Sequence, residues 1–414
     1  MDLVHERAAG LDISKSDAKV AIRVPGKRAG TFPAPVVTTW GSTTNQILAL
    51  RDMLVAAKVT TVVMEATSDY WKPFYYLFED VLPVMLVNAK AARNIPGRKT
   101  DVSDAAWLAQ LGAHGLLRPC FVPPPPIRIL RDLTRARTVA TQDRTREIQR
   151  LEKFLESTGI KLSDYVSDLM GVSSRAMLTA LVAGERDPQV LANLAKGTMR
   201  RRIPELVEAL TGRFEEHHAF ICHMHLERID SITGWVEQLT TRIDEAMEPF
   251  RAAREFLTTI PGVSILVADV IVAETGADMS TFETPGRLAS WAGLSPGSNE
   301  SAGRVKSSKT RPGDPYLKGA LGIAALTIAR HPNNTYLGAR YKRLIVRRGK
   351  KKALVAIEHS ILTAVWHMLA DGECYQDPGS DFFTKKDPTR TRNNAVRRLR
   401  ELGYDVTLNT REAA

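Results

Sequence analysis

Cysteine is scarce in this chain of 414 residues, which contains only Cys120, Cys222 and Cys374. These three are far apart and form no CxxC pair, which excludes a disulfide framework and the usual structural zinc motifs. We find no apolar run of about 18 residues, no lipid-anchor motif and, in the opening MDLVHERAAG, no apolar signal-peptide core. The sequence therefore predicts a cytoplasmic protein with reduced thiols and no membrane partner.

Acidic residues are outnumbered. The chain has 57 Lys or Arg against 46 Asp or Glu, for a formal net charge of +11. Its 44% hydrophobic and 25% charged residues are ordinary for a globular protein, and its length suits two or three domains. The excess positive charge favours a polyanionic partner, and nucleic acid in particular.

The first part of the chain alternates short β-rich runs with helical ones, which is typical of an α/β domain. The predicted strands are AAGLDI and AKVAIRV, joined by the turn SKSD, followed by VTTVVME and LPVMLVN. The predicted helices are TTNQILALRDMLVAAK and WKPFYYLFEDV. The run VPPPPI at 122–127 cannot continue a helix and predicts a domain boundary.

The remaining chain is mainly helical, which gives an α/β plus α fold class. We predict an α/β domain at 1–121, a helical coiled-coil arm with an insert at 128–250, a helical C-terminal domain at 256–372, and a basic tail at 373–414. In the arm, apolar residues recur at three- and four-residue steps, which favours packing within the chain over dimerisation. They are Leu226, Ile229, Ile232, Val236, Leu239 and Ile243.

A histidine-rich stretch, TGRFEEHHAFICHMH, precedes this apolar stripe. It invites a zinc interpretation, but its spacing matches no standard zinc motif and it lacks a second pair of ligands. We therefore favour the faces of a polar helix.

Four acids stand at element boundaries. Asp12 and Glu65 end two predicted strands, and the stretch RKTDVSDAAWLA places Asp101 and Asp104 three residues apart where a helix begins. The plain interpretation is that each acid ends a strand or caps a helix, with Asp101 as the N-cap. The alternative is that carboxylates at neighbouring strand ends and on one helix face converge.

Convergent carboxylates repel each other unless cations neutralise them. Asp and Glu oxygens suit Mg²⁺, and two ions about 3.5–4 Å apart stabilise the entering and leaving oxygens of a phosphodiester under attack. On a basic chain, the four acids together predict a site for two Mg²⁺ ions.

The stretches GLDISKSD, VVMEATSDYWKPFYYL and GRKTDVSDAAWLAQL resemble the N-terminal signature of the DEDD transposases of bacterial insertion sequences. This is the IS110 family, also called bridge-RNA-guided recombinases. The resemblance implies a ribonuclease-H-like (RuvC-like) N-terminal domain in which Asp12, Glu65, Asp101 and Asp104 bind the metal. In EATSDY this chain departs from the family, which more often has glycine after the threonine.

Further along, TTIPGVSILVADVIVAE is similar to a helix-hairpin-helix element. In such an element the turn and the first turn of the second helix hold a nucleic-acid phosphate through backbone N–H groups. This function would make Gly262 the key residue, whereas a plain helical turn is the alternative.

The polar stretch LASWAGLSPGSNESAGRVKSSKTRPGDPYLKGAL predicts a loop between two helices. Its serines at 295, 298, 301, 307 and 308 are ordinary turn residues, and chemistry alone does not select a nucleophile among them. The family resemblance does: ESAGRVK aligns Ser301 with the catalytic serine of the family. The family usually has glycine directly after that serine, whereas this chain has Ala302 and then Gly303, so Ser298 stays an alternative.

Positive charge is concentrated in the second half. Between residues 304 and 352 there are fourteen Lys or Arg and one acid, Asp314, for a local net charge of +13. Such a one-sided face repels itself without a polyanion, and Tyr336 and Tyr341 are close enough in sequence to stack on bases. With Gly262, the predicted nucleic-acid contacts are Arg304, Lys306, Lys309, Arg311, Arg340, Lys342, Arg343, Arg347, Arg348, Lys350, Lys351 and Lys352.

Together these features predict a transposase and recombinase of an insertion sequence. The resemblance implies that it acts on element ends and target DNA, guided by a structured RNA, as a homodimer or homotetramer. Strands would be cut and rejoined through a serine-linked 5′-phosphate. Two alternatives stay open: a Mg²⁺-dependent nuclease of the junction-resolvase type that uses water, and a DNA- or RNA-binding protein without catalysis.

Overall fold

The chain has two compact units, Met1–Pro123 and Pro124–Ala414, and a mixed five-stranded sheet forms the centre of the first. The computed structural model describes residues 3–26, 31, 33–89, 92, 95, 103–297 and 299–409. The sheet has the order β3-β2-β1-β4-β5. Strand β2 is antiparallel to its neighbours β1 and β3, whereas β1, β4 and β5 are parallel to one another. The strands are β1 Ala8–Ile13, β2 Asp17–Arg23, β3 Val37–Gly41, β4 Thr61–Glu65 and β5 Val84–Val87.

Four of these strands coincide with the predicted apolar runs, and β3 is an additional strand that the sequence analysis missed. The five residues of β3 are exposed or half-buried, because this strand lies at the edge of the sheet. An edge strand with little buried surface carries a weak apolar signal, so its sequence VTTWG gave no prediction.

Three helices of this unit are α1 Thr44–Ala56, α2 Trp71–Phe78 and α3 Asp104–Ala113. The face of the sheet that carries Leu11 and Met64 forms a core with apolar residues of α1 and α2, such as Leu50 and Phe74. Val63 packs in a second core with Leu108 of α3. The sheet is therefore covered on two sides, by α1 and α2 on one and by α3 on the other.

The contact between α3 and β1 is unusually close. A Cβ atom added at Gly10 would lie 2.1 Å from the carbonyl oxygen of Ala105 and 2.4 Å from the amide nitrogen of Ala109. At Gly112 an added Cβ would lie 2.6 Å from Cγ2 of Val63. Two glycines, one on each element, thus let the helix backbone approach the sheet.

In the second unit, two long helices form the arm: α4 Pro125–Ser157 and α9 Glu216–Ala246 pack against each other. Leu226, Ile229, Ile232 and Ile243 are buried in this unit, which agrees with packing inside the chain. Four short helices between them form a small core with the ends of the arm helices, and this core includes Cys222. They are α5 Leu162–Tyr165, α6 Val172–Val182, α7 Pro188–Ala192 and α8 Ile203–Leu210.

The remaining elements are mostly helical. They are α10 Arg251–Thr258, α11 Ile265–Thr275, α12 Pro285–Trp291, the strands β6 Asn299–Ser301 and β7 Arg304–Ser307, α13 Pro315–Arg330, α14 Tyr336–Arg348, α15 Lys350–Asp371, α16 Phe382–Lys386 and α17 Pro388–Glu401. Short 3₁₀ turns occur at Gly197–Arg202, Glu248–Phe250 and Met279–Thr281. The strands β6 and β7 form a hairpin inside the stretch that we predicted as a plain loop.

Helix α15 corrects one expectation. By length and composition alone it could cross a membrane, although we expected no apolar run of that length. Its residues Ile357, Ile361, Leu362 and Val365 are fully buried, and it packs against α12, α13 and α14. These contacts are those of a core helix, and one such helix is weak evidence for a membrane span.

The close approach at Gly10 gives a first prediction. Gly10→Ala would force α3 away from β1, and overpacking of this kind costs about 1–3 kcal/mol. Thermal unfolding should show a lower melting temperature for this variant.

Gly234→Ala in α9 is the matched control, because no atom of the described residues lies within 4 Å of a Cβ added there. Alanine in a helix interior is favoured over glycine by about 1 kcal/mol, so this variant should not lose stability. Equal melting temperatures for Gly10→Ala and the native chain would show that the described contact does not hold α3.

Candidate active site and nucleic-acid interface

Asp12 and Glu65 lie side by side at the carboxyl edge of the sheet. In the parallel register of β1 and β4, Leu11 is opposite Met64, so Asp12 and Glu65 occupy the next level. Neighbouring strands are about 4.8 Å apart. Because side chains alternate along a strand, Asp12 lies on the same face as Gly10 and Glu65 on the same face as Val63. Gly10 and Val63 contact α3, so the two acids lie on the side that α3 covers.

Asp104 reaches this edge because α3 runs opposite to β1. The carbonyl oxygen at the end of α3, on Ala113, accepts hydrogen bonds from the backbone N–H of Val4 and His5, which precede β1. Ala105, near the start of α3, lies over Gly10. The first residue of α3, Asp104, therefore lies toward the end of β1 that carries Asp12.

The fourth predicted acid, Asp101, lies outside the described residues. Ser103 is the N-cap of α3, and its side chain accepts a hydrogen bond from the Ala106 backbone N–H at 3.2 Å. This corrects the plain interpretation, in which Asp101 was the cap. Asp104 is the first helical residue, where the helix dipole favours a negative charge.

The three described acids are suited to hold a hard cation. Glu65 is 7% exposed and Asp12 and Asp104 are half-buried, so all are partly withdrawn from water. Among the described residues, the ligand atoms of these three do not form a group within 4.8 Å of one another. Mg²⁺ usually keeps several waters and is bound through one or two carboxylates, so a wider arrangement still fits it.

Lys19 is a residue that the sequence analysis missed. It lies directly opposite Asp12 in the antiparallel register of β1 and β2, and its side chain is exposed. Residues directly opposite on an antiparallel pair share a face of the sheet. The sequence signal for this position is the turn SKSD, which sets the register of β1 and β2. Within the turn, Ser14 Oγ donates a hydrogen bond to Asp17 Oδ1 at 2.5 Å.

Ser301 lies at the tip of the β6–β7 hairpin. It is the last residue of β6, it is exposed, and it pairs with Arg304 across a two-residue turn. The turn residues have positive φ, 52° at Ala302 and 73° at Gly303. A two-residue hairpin of type I′ requires this conformation at the two central positions. The turn thus places Ser301 directly opposite Arg304 at the tip of the hairpin.

The base of this hairpin segment is closed by two glycines. A Cβ added at Gly293 would lie 2.8 Å from the Gly313 backbone nitrogen, and one added at Gly313 would lie 2.2 Å from the Ala292 carbonyl oxygen. Asp314 follows, and it caps α13 by accepting from the Leu317 N–H at 2.8 Å. The hairpin therefore projects from a fixed base.

Ion pairs connect this base to the arm. Arg135 of α4 donates to Glu274 of α11 at 2.7 and 2.8 Å and to Asp314 at 3.0 Å. Burial raises the pKa of the Glu274 carboxyl above its usual value, and the hydrogen bond from Arg135 opposes this shift. A second buried pair joins Arg137 to Asp269 at 3.1 Å. The arm and the base of the serine hairpin are thus held together within the second unit.

The other serines of this stretch differ in their placement. Ser298 lies outside the described residues. Ser307 Oγ accepts a hydrogen bond from the Lys309 N–H at 3.2 Å, as a turn residue does. Ser308 is exposed and Ser295 is half-buried. Of the described serines in this stretch, Ser301 is the one at the hairpin tip.

The predicted basic residues fall on two surfaces of the second unit. The exposed side chains of Arg304, Lys306, Lys309 and Arg311 lie on the hairpin and its base. The second group lies on α14 and the start of α15, and all of its members but the half-buried Arg340 are exposed. They are Arg340, Lys342, Arg343, Arg347, Arg348, Lys350, Lys351 and Lys352.

The two tyrosines of this region are engaged inside the protein, which corrects the idea that they stack on bases. Tyr341 is 6% exposed and belongs to the core. The Tyr336 ring stacks on Phe383 with centroids 5.4 Å apart and 19° between planes, and Arg343 lies over the same Phe383 ring.

Gly262 lies in the turn between α10 and α11 with φ +84°. A Cβ added there would lie 2.6 Å from the Ala324 carbonyl oxygen of α13, so glycine is needed for this close approach. The side chain of Ser264 caps α11 by accepting from the Val267 N–H. The geometry gives Gly262 a packing role, and its predicted phosphate contact stays a prediction.

The histidine-rich stretch does not converge on one site. His225 Nδ1 lies 2.7 Å from Glu147 Oε1 on the facing helix, and Cys222 is buried, where burial raises the pKa of its thiol to about 11. Ligand atoms of Glu215, His217 and His218 lie within 4.8 Å of one another. The Glu215 side chain and the His218 ring, however, form a capping box at the start of α9, which accounts for their proximity.

Two family models match this chain. Residues 9–160, which contain the described acids, match the DEDD transposase model of the IS110 group, and residues 254–342, which contain Ser301, match the model of the transposase IS116/IS110/IS902 family. Together the matches span more than half of the chain. The sheet with its acidic edge and the helical region with the serine hairpin thus define a DNA transposase with a DEDD domain. The chain belongs to the IS110 family of insertion-sequence transposases.

Curated relatives agree with this assignment. The transposase for insertion sequence element IS1111A of Coxiella burnetii is 25% identical over 334 residues, or 78% of this chain and 81% of that protein. A 42 kDa protein of insertion element IS900 of Mycobacterium paratuberculosis is 28% identical over 67% of this chain and 73% of its own length. A candidate transposase of Sinorhizobium fredii is 28% identical over 34% of this chain and 37% of its own length.

The positive φ of Ala302 gives a second prediction. A non-glycine residue in the left-handed region costs roughly 1–2 kcal/mol, so Ala302→Gly should stabilise the hairpin tip. Hydrogen exchange of the Ser301 and Arg304 amides should slow several-fold in this variant. Ala302→Val, with a β-branched side chain, should accelerate it. Unchanged exchange in both variants would contradict the described turn.

Proposed function

We propose that this transposase cuts and rejoins DNA through Ser301, assisted by Asp12, Glu65, Asp101 and Asp104. The observation that supports this most is the placement of three acids from three elements at one edge of the sheet. Carboxylates gathered on a basic chain have an evident partner in a divalent cation bound to nucleic acid. The substrates are the ends of the insertion sequence and the target DNA.

The four acids would hold two Mg²⁺ ions, which when bound supply positive charge for the entering and leaving oxygens of the phosphodiester. Asp12 and Glu65 lie on rigid strands, and Asp104 begins a helix that is fixed to the sheet at Gly10. This mounting keeps like charges at a set separation before DNA arrives. Lys19, opposite Asp12, would contact a phosphate of the bound strand.

Ser301 would be the nucleophile. Its oxygen forms a bond to phosphorus, the bond from phosphorus to the 3′ oxygen of the neighbouring nucleotide breaks, and the serine proton passes to a base while the leaving oxygen becomes a 3′ hydroxyl. The product is a 5′-phosphoserine. A second DNA 3′ hydroxyl then attacks that phosphorus and releases Ser301, so the energy of the phosphodiester bond is retained. Attack by water would end in a permanent cut.

Arg304 would assist this step. It is paired with Ser301 across the turn, and a guanidinium group stabilises charge that develops on a phosphoryl oxygen. The acids and Ser301 belong to different units of the chain, so catalysis requires the two units, from one chain or from two, to meet on DNA. We propose that two chains supply them, with a homodimer or homotetramer as the active form.

An exposed apolar patch on the arm supports self-association. A groove of about 1460 Å³ runs along α4 and α9, and Val139 and Trp235 are exposed beside it. Exposed apolar patches on soluble proteins often mark sites of protein–protein interaction.

The basic surface of α14 and α15 would bind nucleic acid phosphates. Lys350, Lys351 and Lys352 occupy the first turn of α15, where the helix dipole disfavours positive charge. The unfavourable position of three lysines is understandable if a polyanion neutralises them. We propose that a structured guide RNA encoded in the element and the DNA share this surface.

The serine mechanism is tested by Ser301→Ala in the full chain, with Mg²⁺, duplex DNA carrying the element ends and RNA transcribed from the sequence beside the gene. The variant should form no covalent protein–DNA adduct and no rejoined strands. Ser308→Ala, an exposed serine of the same stretch, should behave as the native protein. The readout is the adduct in a denaturing gel.

Unchanged Mg²⁺-dependent cleavage by Ser301→Ala would overturn the proposal in favour of a nuclease that uses water. Native cleavage after Asp12→Asn and Glu65→Gln would instead favour a nucleic-acid-binding protein whose acids are structural.

A further inference from the structure

The C-terminal helix α17 is rich in arginine, although its packing in the protein does not require this residue. Its 14 residues, PTRTRNNAVRRLRE, include five Arg, no Lys and one acid, Glu401. None of its residues is buried, and only Thr391 and Val396 are half-buried. It contacts the short helix α16 and little else in the described part of the chain. Packing therefore does not explain the five arginines.

The side chains of α17 are sorted by face. At 100° per residue, Arg390, Asn393, Asn394, Arg397 and the acid Glu401 fall on one side of the helix, with Arg400 at its border. Leu399 and Leu402 fall on the opposite side. The polar side thus combines arginine and asparagine at steps of three and four residues along about three turns. All of these polar side chains are exposed.

The charges of α17 are largely uncompensated. One ion pair lies within the helix, where Arg397 Nε is 3.7 Å from Glu401 Oε1. Arg390, Arg398 and Arg400 have no acidic partner among the residues that the structure describes. Asp387 is occupied as the N-cap, where it accepts from the Arg390 N–H at 3.0 Å. Exposed like charges on one helix repel each other, which favours a polyanionic ligand.

The stability of α17 points the same way. Isolated helices shorter than about 12–15 residues are marginal in water, because packing supplies most helix stability in proteins. A helix of this length that buries none of its residues and carries five arginines needs a partner to be stably formed. A groove of about 690 Å³ beside Asn393, Arg397 and Arg400 is also lined by Leu408 of the C-terminal segment, and the three polar side chains stay exposed to a partner.

We propose that the face of α17 formed by Arg390, Asn393, Asn394, Arg397 and Arg400 binds in the major groove of duplex DNA and reads base edges there. The inference rests on the proposed function, in which DNA is the substrate. The major groove of B-form DNA admits an α-helix, Arg pairs with guanine and Asn with adenine. The major groove of A-form RNA is too narrow for such side chains, so duplex RNA does not fit.

The helix would give the transposase sequence preference of its own at the DNA, separate from any base pairing with RNA. Phosphate contacts from the basic surface of α14 and α15 hold DNA without reading its sequence. A helix with asparagine at its centre adds contacts that depend on sequence.

The test uses the full chain without RNA and a pool of 30-bp duplexes with a randomised centre. The native protein should enrich a preferred sequence that contains adenine and guanine steps. Arg390→Ala with Arg397→Ala should bind the enriched duplex about tenfold more weakly or worse, since each bidentate base contact contributes about 1–3 kcal/mol. Asn393→Ala with Asn394→Ala should lose the preference for the enriched sequence.

Arg392→Ala with Arg398→Ala is the matched control. It removes the same two charges from the same helix, but from positions that flank its apolar side. This variant should bind within about threefold of the native protein, the loss expected for peripheral charges. Thermal unfolding should be equal for all variants, because α17 buries none of these side chains.

Three results would overturn the inference: no sequence enriched by the native protein, equal losses for the two arginine pairs, or equal competition by duplex RNA of the enriched sequence. Ser301→Ala separates this from the proposed function. That variant should bind the enriched duplex as the native chain does while failing to cut DNA. Loss of the serine mechanism would thus leave the result for α17 unaffected, and the reverse also holds.

Discussion

The contact between the backbones of β1 and α3 at Gly10 is the constraint on which the acidic site depends. The strand presents Asp12 beside Glu65, but only a helix that lies directly on the sheet brings Asp104 to the same edge. Any larger side chain at Gly10 would separate the helix from the strand. The glycine thus serves the geometry of the carboxylates, although it has no chemistry of its own.

A similar device supports the serine. Gly293 and Gly313 close the base of the hairpin segment, and Arg135 links that base to the arm through Glu274 and Asp314. Separating such a pair would leave an uncompensated buried charge, which disfavours other arrangements of the base and the arm. The fold therefore fixes each of the two halves of the proposed chemistry inside its own unit.

Much of the sheet could be predicted, because its central strands are buried and their sequences are nearly continuous apolar runs. The edge strand β3 and the β6–β7 hairpin were missed, since both are short and the side chains that the structure describes in them are exposed or half-buried. The turn at Ala302 gave no signal, because alanine seldom adopts positive φ.

The candidate site was predictable to a different extent. Acids at strand ends could be found from the strand pattern, and the family resemblance supplied their roles. Lys19 was missed, because its position opposite Asp12 follows from the register that the turn SKSD fixes and not from its residue type. The cap at Ser103 was missed because Asp101 is an equally suitable cap residue by type.

Binding of Mn²⁺ in place of Mg²⁺ to the full chain, followed by electron paramagnetic resonance, tests the central claim most directly. The account predicts two spin-coupled ions about 3.5–4 Å apart in the native protein. The double variant Asp12→Asn with Glu65→Gln should lose them. The control Asp52→Asn, which changes an exposed acid of the same unit, should keep them. Equal binding by all three proteins, or binding abolished only by substitution of His217 and His218, would contradict it.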